Sequence, residues 1–258
     1  MNFNGFKTDI NGNSTVIDLK MPPALERIFF AKFYGKSIYT EASYGEPENI
    51  WRSLSPLYNN AELVAPIQVH DVKIINASEE APLPSRSEAD GILIDKLCGN
   101  LLSSLRFADC TPIVIASSGE SPWMLLLHSG FSGTLKNIVR NAMDVVDKRF
   151  HNPIRDKIWA WILPSIGVEC YSRRRDDPST LSALKIFEPD TVIERDDCCF
   201  FDIKKQIHHQ LLDCGVCENN IYVYNVCTCC DKEHFYSYRA GDAKDRNFLL
   251  AGLANNCI

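Results

Sequence analysis

Trp123-Met124-Leu125-Leu126-Leu127-His128-Ser129-Gly130-Phe131-Ser132-Gly133 is an apolar run of strand length that ends on a histidine and passes through a glycine-punctuated turn. Leu135, Ile138, Val139, Ala142, Met143 and Val146 then recur at helical spacing, which predicts an amphipathic helix over 133–150. A strand that delivers a side chain at its carboxyl end, facing a helix N-terminus, is a common way for α/β chains to build a site.

Working outward, residues 27–33 and 36–40, separated by Tyr34-Gly35, read as a hairpin or two early strands. Residues 63–70 are a third strand candidate, with Pro66 pointing to an edge or a bulge. Segments 90–95, 101–107 and 112–116 add strand character, and the acidic, proline-bearing stretch 79–88 reads as an exposed loop. Downstream, 157–163 is an aromatic-rich strand closed by Pro164, and 173–178 is a charged loop. Residues 202–213 suit a helix, with Asp202 at its start and Gly215 where a C-terminal cap belongs. Segments 221–226 and 234–238 are the last strands. No internal repeat or linker divides the chain. The reading is one α/β domain over 1–258, with mixed β-sheets and flanking helices and a polar, turn-rich N-terminal extension over 1–24.

The chain has 258 residues, 45% hydrophobic and 23% charged, which is ample for a core. A net charge of -6 with no dense Lys/Arg block argues against nucleic acid or an anionic membrane as the main partner. The N-terminus lacks a basic, then apolar leader, and no apolar run approaches the roughly 20 residues of a membrane span, so a soluble cytoplasmic protein is expected. Eleven cysteines are unevenly placed: Cys98, Cys110 and Cys170 lie apart, while the other eight crowd the stretch from Cys198 to Cys257. Without a secretion signal they read as thiols rather than disulfides.

Three metal-competent residues end three apolar segments: His70, Cys110 and His128. If those strands share a sheet, two imidazoles and a thiolate could converge as three zinc ligands, leaving a fourth position for water or substrate. The wide spacings are not diagnostic, and a core cysteine with two hydrogen-bonded histidines explains the same residues. Met124 could complete a blue-copper set, but it reads as a core strand residue, and six histidines without a His-x-His pair are too few for a multicopper oxidase. A cysteine hydrolase would use Cys110 with His128 or His70 as base. Cys214-x-x-Cys217 and Cys227-x-x-Cys230 have the spacing of a structural zinc ribbon. The strand-like 221–224 between them and the helix cap inside the first pair favour separate thiols.

Several motifs occur in one order: Gln68-Val69-His70, Ala108-Asp109-Cys110-Thr111-Pro112-Ile113, His128-Ser129-Gly130-Phe131-Ser132-Gly133, Pro164-Ser165-Ile166-Gly167 with Cys170-Tyr171, Cys227-Thr228 and Phe235-Tyr236-Ser237-Tyr238-Arg239. Together they resemble the YfiH-like family, long labelled polyphenol oxidase or laccase-domain proteins and associated with purine nucleoside phosphorylase, adenosine deaminase and methylthioadenosine phosphorylase activity. The resemblance implies that His70, Cys110 and His128 hold Zn2+, with Asp109 and Cys110 at the reacting centre. It further implies that Lys32, Gln68, Ser132 and Arg239 face the substrates, purine nucleosides and phosphate, in a monomer. Lys32 matches a family arginine in an early turn, and the family's His-Ala-Gly-Trp-Arg-Gly is here His-Ser-Gly-Phe-Ser-Gly. Ser132 cannot supply the bidentate charge of the arginine it replaces. Helix N-terminal amides, Lys136 and the pool of Arg52, Arg106, Arg239 and Arg246 are what remains to bind an anion. Deamination needs less phosphate binding because water is its nucleophile. The competing expectation is a family member that binds zinc with catalysis impaired.

Overall fold

The computed structural model describes residues 5–12, 14–41, 43–59, 61–150 and 155–256. A first six-stranded sheet contains β1 (Phe6–Asn11), β2 (Ser14–Leu19), β3 (Phe29–Tyr34), β4 (Glu62–Val64), β7 (Leu101–Phe107) and β15 (Asn247–Leu253), in the order β1-β2-β3-β15-β7-β4. The second contains β5 (Ile74–Asn76), β6 (Gly91–Asp95), β8 (Thr111–Ser117), β9 (Trp123–Ser129), β10 (Ile158–Ile162) and β14 (Ile221–Val223), in the order β14-β10-β8-β9-β6-β5. A small third sheet holds β11 (Ser172–Arg174), β12 (Val192–Arg195) and β13 (Cys198–Phe201). Pairing is mostly antiparallel, with parallel neighbours at β4–β7, β5–β6 and β10–β14.

Every residue of β8 and β9 is buried, and alternate side chains enter different cores. Val114, Ala116, Met124 and Leu126 meet Phe33, Leu105 and Leu249 of the first sheet. Ile113, Ile115, Leu125 and Leu127 face the opposite way, towards α4 (Ile138–Phe150) and α6 (Ile203–Asp213). Burial on both faces explains why this stretch reads as an unbroken apolar run instead of an alternating one. A third cluster joins α2 (Pro47–Leu54) to the outer face of the first sheet through Ile50, Leu54, Tyr34 and Leu250. The short α1 (Pro23–Glu26) and α5 (Pro178–Ala183) complete the helices, with α3 (Phe131–Leu135) following β9. The mixed α/β architecture expected from the sequence is observed.

Several elements differ locally from the sequence reading. Residues 1–24 read as an extension, yet β1 and β2 extend the first sheet, because Thr15, Ile17 and Leu19 alternate inward. Residues 36–40 form a turn instead of a strand: the Thr40 hydroxyl donates to Gly35 O and accepts from Ser37 N. The strand read over 63–70 is confined to β4, since Ala65 and Pro66 give their carbonyls to the Arg86 guanidinium. Residues 234–238 are irregular, with Tyr236 bonded through both its N–H and its C=O to the side chain of Asn247. The charged loop over 173–178 begins inside β11. The helix over 133–150 is two helices, broken at Asn137, whose φ is 56°. β15, at the centre of the first sheet, was not legible as a strand.

Candidate metal and substrate site

The three strands preceding His70, Cys110 and His128 do not share one sheet. β4 and β7 belong to the first sheet and β9 to the second, and the face-to-face packing of the two brings the three side chains together at one end. Cys110 lies in the short crossing from β7 to β8. The register of β8 on β9 sets Pro112 opposite His128, so Cys110 and His128 emerge at the same end of that ladder. The ligand atoms of His70, Cys110 and His128 lie within 4.8 Å of one another. The two imidazole rings meet edge to face with centroids 4.9 Å apart.

Asp90, which the sequence reading passed over as the start of a strand, holds this arrangement. Its fully buried carboxylate accepts from the backbone N–H groups of Val69 (3.1 Å), His70 (3.0 Å) and Asp71 (2.8 Å). His128 Nδ1 lies 2.7 Å from the same carboxylate. A carboxylate only accepts, so Nδ1 carries the proton and Nε2 keeps its lone pair for a metal, the usual way a carboxylate orients a ligating histidine. Burial acts upward on the Asp90 carboxyl, but the His128 hydrogen bond and the backbone amides outweigh it and hold the group below its ordinary range. Burial also lowers His128, against the opposing pull of Asp90. The only sequence cue to Asp90 was a carboxylate at the head of an apolar strand.

Cys110 is pushed up to about 12, first by burial and then by the negative charges of Asp109 and Asp90. The same surroundings disfavour the thiolate that a cysteine hydrolase needs. Two imidazoles and a thiol, one imidazole already oriented through its far nitrogen, are a donor set suited to zinc. A Cβ on Gly130 would sit 2.7 Å from Cys110 Sγ and 3.4 Å from His70 Cδ2. Glycine there is a matter of space beside Cys110 and His70. Met124 is buried between the sheets, inside the core.

Above these residues opens a cavity of about 470 Å³, a size suited to a small molecule. Arg106, Arg239 and Arg246 line it, together with Gln68, Asp109, Tyr171 and Tyr238. Burial, with Arg86 nearby, lowers Arg106 to about 10, so it stays cationic at neutral pH. Gln68 spans the cavity edge by bonding both N–H and C=O of Arg106 with its amide. Asp109, at φ 84°, accepts from the Thr228 hydroxyl (2.8 Å) and the Arg239 amide (2.7 Å), so its carboxylate fixes two flanking loops. The Arg239 guanidinium lies over the Tyr171 ring, 5.5 Å from its centroid.

Other residues singled out from the sequence lie elsewhere. Lys32 points from β3 to Asp18, 3.1 Å away, and is not among the cavity-lining residues. Arg52 is exposed on α2 beside Asn49. Ser132 occupies the first turn of α3, half-buried and outside the cavity lining. Phe131 turns away into the core against Phe187 and Phe201. Lys136 pairs with Asp71 at the surface. Cys214 is buried in the core and Cys217 is exposed, and neither joins Cys227 and Cys230 in a ligand cluster. Cys257 lies outside the described residues.

Two packed sheets thus carry a histidine–cysteine–histidine cluster and an arginine-lined cavity at one end. The chain belongs to the family described as multi-copper polyphenol oxidoreductase laccase, whose model matches residues 47–251. Solved structures share the fold: YfiH from Bacillus licheniformis (TM-score 0.78, 21% identity, 97% of this chain and 100% of that one) and YlmD from Geobacillus stearothermophilus (TM-score 0.78, 22% identity, 96% and 98%). Among named relatives, a purine nucleoside phosphorylase of Clostridium acetobutylicum is 28% identical over 189 residues, 73% of this chain and 75% of that protein. The purine nucleoside phosphorylase YlmD of G. stearothermophilus is 30% identical over 154 residues, 58% of this chain and 54% of its own. Among the described residues no helix is long and apolar enough to cross a membrane.

Proposed function

We propose that the protein is a zinc-dependent purine nucleoside phosphorylase acting on adenosine, inosine or methylthioadenosine. The observation that carries the reading is the meeting of three zinc-competent side chains with three arginines around one cavity. His70, Cys110 and His128 would hold the ion, which when bound supplies a Lewis acid at the cavity floor. The arginines supply the positive charge that Ser132 does not, and this favours phosphorolysis over deamination. In phosphorolysis a phosphate oxygen forms a bond to the ribose C1′ while the C1′–N9 bond breaks. The bonding pair leaves with the purine, which takes up a proton, and the sugar 1-phosphate remains, ribose 1-phosphate from adenosine or inosine and its 5-methylthio counterpart from methylthioadenosine. Arg106, Arg239 and Arg246 hold and orient the anionic nucleophile, and Asp109 positions Arg239 through its backbone amide. The ring of Tyr238 offers a flat face for a base.

Product analysis after incubation with the three nucleosides, with and without phosphate, tests the reading. Free adenine or hypoxanthine appearing only with phosphate supports it. Inosine formed from adenosine without phosphate would assign deamination instead. No turnover in either condition would favour a member of the family with impaired catalysis. Arg239→Ala is expected to raise KM for phosphate more than tenfold, the loss of a charged hydrogen bond worth about 1.5–3 kcal/mol. An unchanged KM would remove Arg239 from the anion site.

A further inference from the structure

Next to Tyr171 and Arg239 of the cavity lining, a second group of metal-competent side chains converges. Ligand atoms of Glu169, Cys170, Cys227 and Cys230 all lie within 4.8 Å of one another. Cys170 Sγ is 3.4 Å from Cys230 Sγ, and Cys230 Sγ is 3.6 Å from a Glu169 carboxylate oxygen. We propose that these four residues form a second, structural metal site for zinc, with three thiolates and one carboxylate as ligands.

The local backbone has the form such a site requires. Cys227 and Cys230 are separated by two residues and sit on one tight turn, closed by Asp231 N–H donating to Cys227 O at 2.9 Å. That spacing turns two sulfurs to the same side, as in small zinc-binding knuckles. The Gly167 N–H donates to Cys227 Sγ at 3.1 Å, and an amide aimed at sulfur stabilises thiolate charge. The buried Lys204 ammonium donates to Val226 O and Ser165 O on the two segments that carry the cluster, adding positive charge beside it. Glu169 and Cys230 are exposed, Cys170 and Cys227 half-buried, so an ion can enter from solvent. Three soft sulfurs with one oxygen select zinc over magnesium or calcium.

The site also gives the second Cys-x-x-Cys pair of the sequence a role. The second pair is completed by Glu169 and Cys170 from a distant loop, not by Cys214 and Cys217. That loop carries Tyr171 and gives its Cys170 carbonyl to the Arg239 guanidinium at 3.3 Å. Residues flanking Cys227 touch the same wall: Cys227 bridges to Ser165, and Thr228 bonds Asp109. A metal at the cluster would clip the segment that supplies Ile166 and Tyr171 to the cavity lining to the turn that carries Cys227 and Cys230.

The test is carried out in a Cys110→Ala background, where the histidine site is disabled, so its outcome is independent of the proposed phosphorolysis. Protein purified from zinc-supplemented medium without chelator is expected to retain one equivalent of zinc. Cobalt reconstitution should give thiolate-to-metal charge-transfer absorption. Adding C227S and C230S should abolish both. Should that variant fail to fold, Glu169→Gln and thiol-alkylation protection provide the second reading: zinc should shield Cys170, Cys227 and Cys230 from alkylation, and the glutamine variant should weaken that shielding. Folded C110A protein without zinc, with all three thiols alkylated equally with or without added zinc, would overturn the proposal. So would a Cys170–Cys230 disulfide in place of bound metal.

Discussion

The Asp90 carboxylate takes hydrogen bonds from three successive amides and from His128, and each contact fixes something the sequence leaves free. The amides fix His70 at φ 59°, and the imidazole contact fixes which nitrogen of His128 is available. Asp90→Asn turns one acceptor into a donor facing those N–H groups and is expected to weaken zinc affinity by about 10–100-fold in a competition titration. The same two residues set an acid limit on stability. The folded pKa of Asp90 is depressed, so its contribution is complete above an unfolded value of about 3.9 and is lost as pH falls through the lower folded value. His128 is also depressed, so its contribution is complete above about 6.5 and is lost as pH falls through its folded value. Melting midpoints of chelated protein should therefore decline on acidification below roughly pH 6.5; a midpoint that rose instead would contradict a buried neutral His128. Gly130→Ala places a methyl 2.7 Å from Cys110 Sγ and is expected to reduce metal content while leaving the circular dichroism spectrum unchanged. At this scale the sequence marked three metal-competent residues but not the groups that support them. His70, Cys110 and His128 stand out by ending apolar runs, whereas Asp90 and Gly130 matter only through neighbours that are distant in the chain.

β9 and the helices after it show what periodicity can and cannot reveal. An apolar run with two buried faces was readable as a strand, and helical spacing from Leu135 to Val146 was readable as a helix. The break between α3 and α4 was hidden because Asn137 interrupts neither pattern. Its left-handed φ and its side chain, which accepts from Arg140 N at 2.9 Å, end one helix and cap the next. Asn137→Ala removes the cap and puts a poorly suited residue at positive φ, with an expected cost of about 1–2 kcal/mol in denaturant unfolding. No loss of stability would mean that the break is maintained by packing alone. β15 was missed for a related reason: it is buried through Gly252 and so lacks alternation, and its two neighbours, β3 and β7, lie far away in sequence.

For the molecule as a whole, the decisive feature is a sheet change that no local pattern records. β7 and β8 are separated by three residues, yet they belong to different sheets, and the crossing between them carries Asp109 and Cys110. Mixed α/β class was legible from the strand and helix periods, but the pairing order was not, because it depends on contacts between distant segments. The expectation that three strands of one sheet bring His70, Cys110 and His128 together is corrected: the side chains do converge, but from two different sheets. Two packed sheets open at one end and leave a cavity with thiol and imidazole donors at its floor and guanidinium groups on its wall. Metal and phosphate requirements should therefore appear together in one activity. The most direct measurement is the rate of purine release from inosine at saturating phosphate, followed while metal-free protein is titrated with zinc. Release should rise in proportion to zinc bound at the histidine site, vanish without phosphate and be absent from Cys110→Ala at every zinc concentration. Full release from metal-free protein, or from Cys110→Ala, would contradict a metal centre at His70, Cys110 and His128.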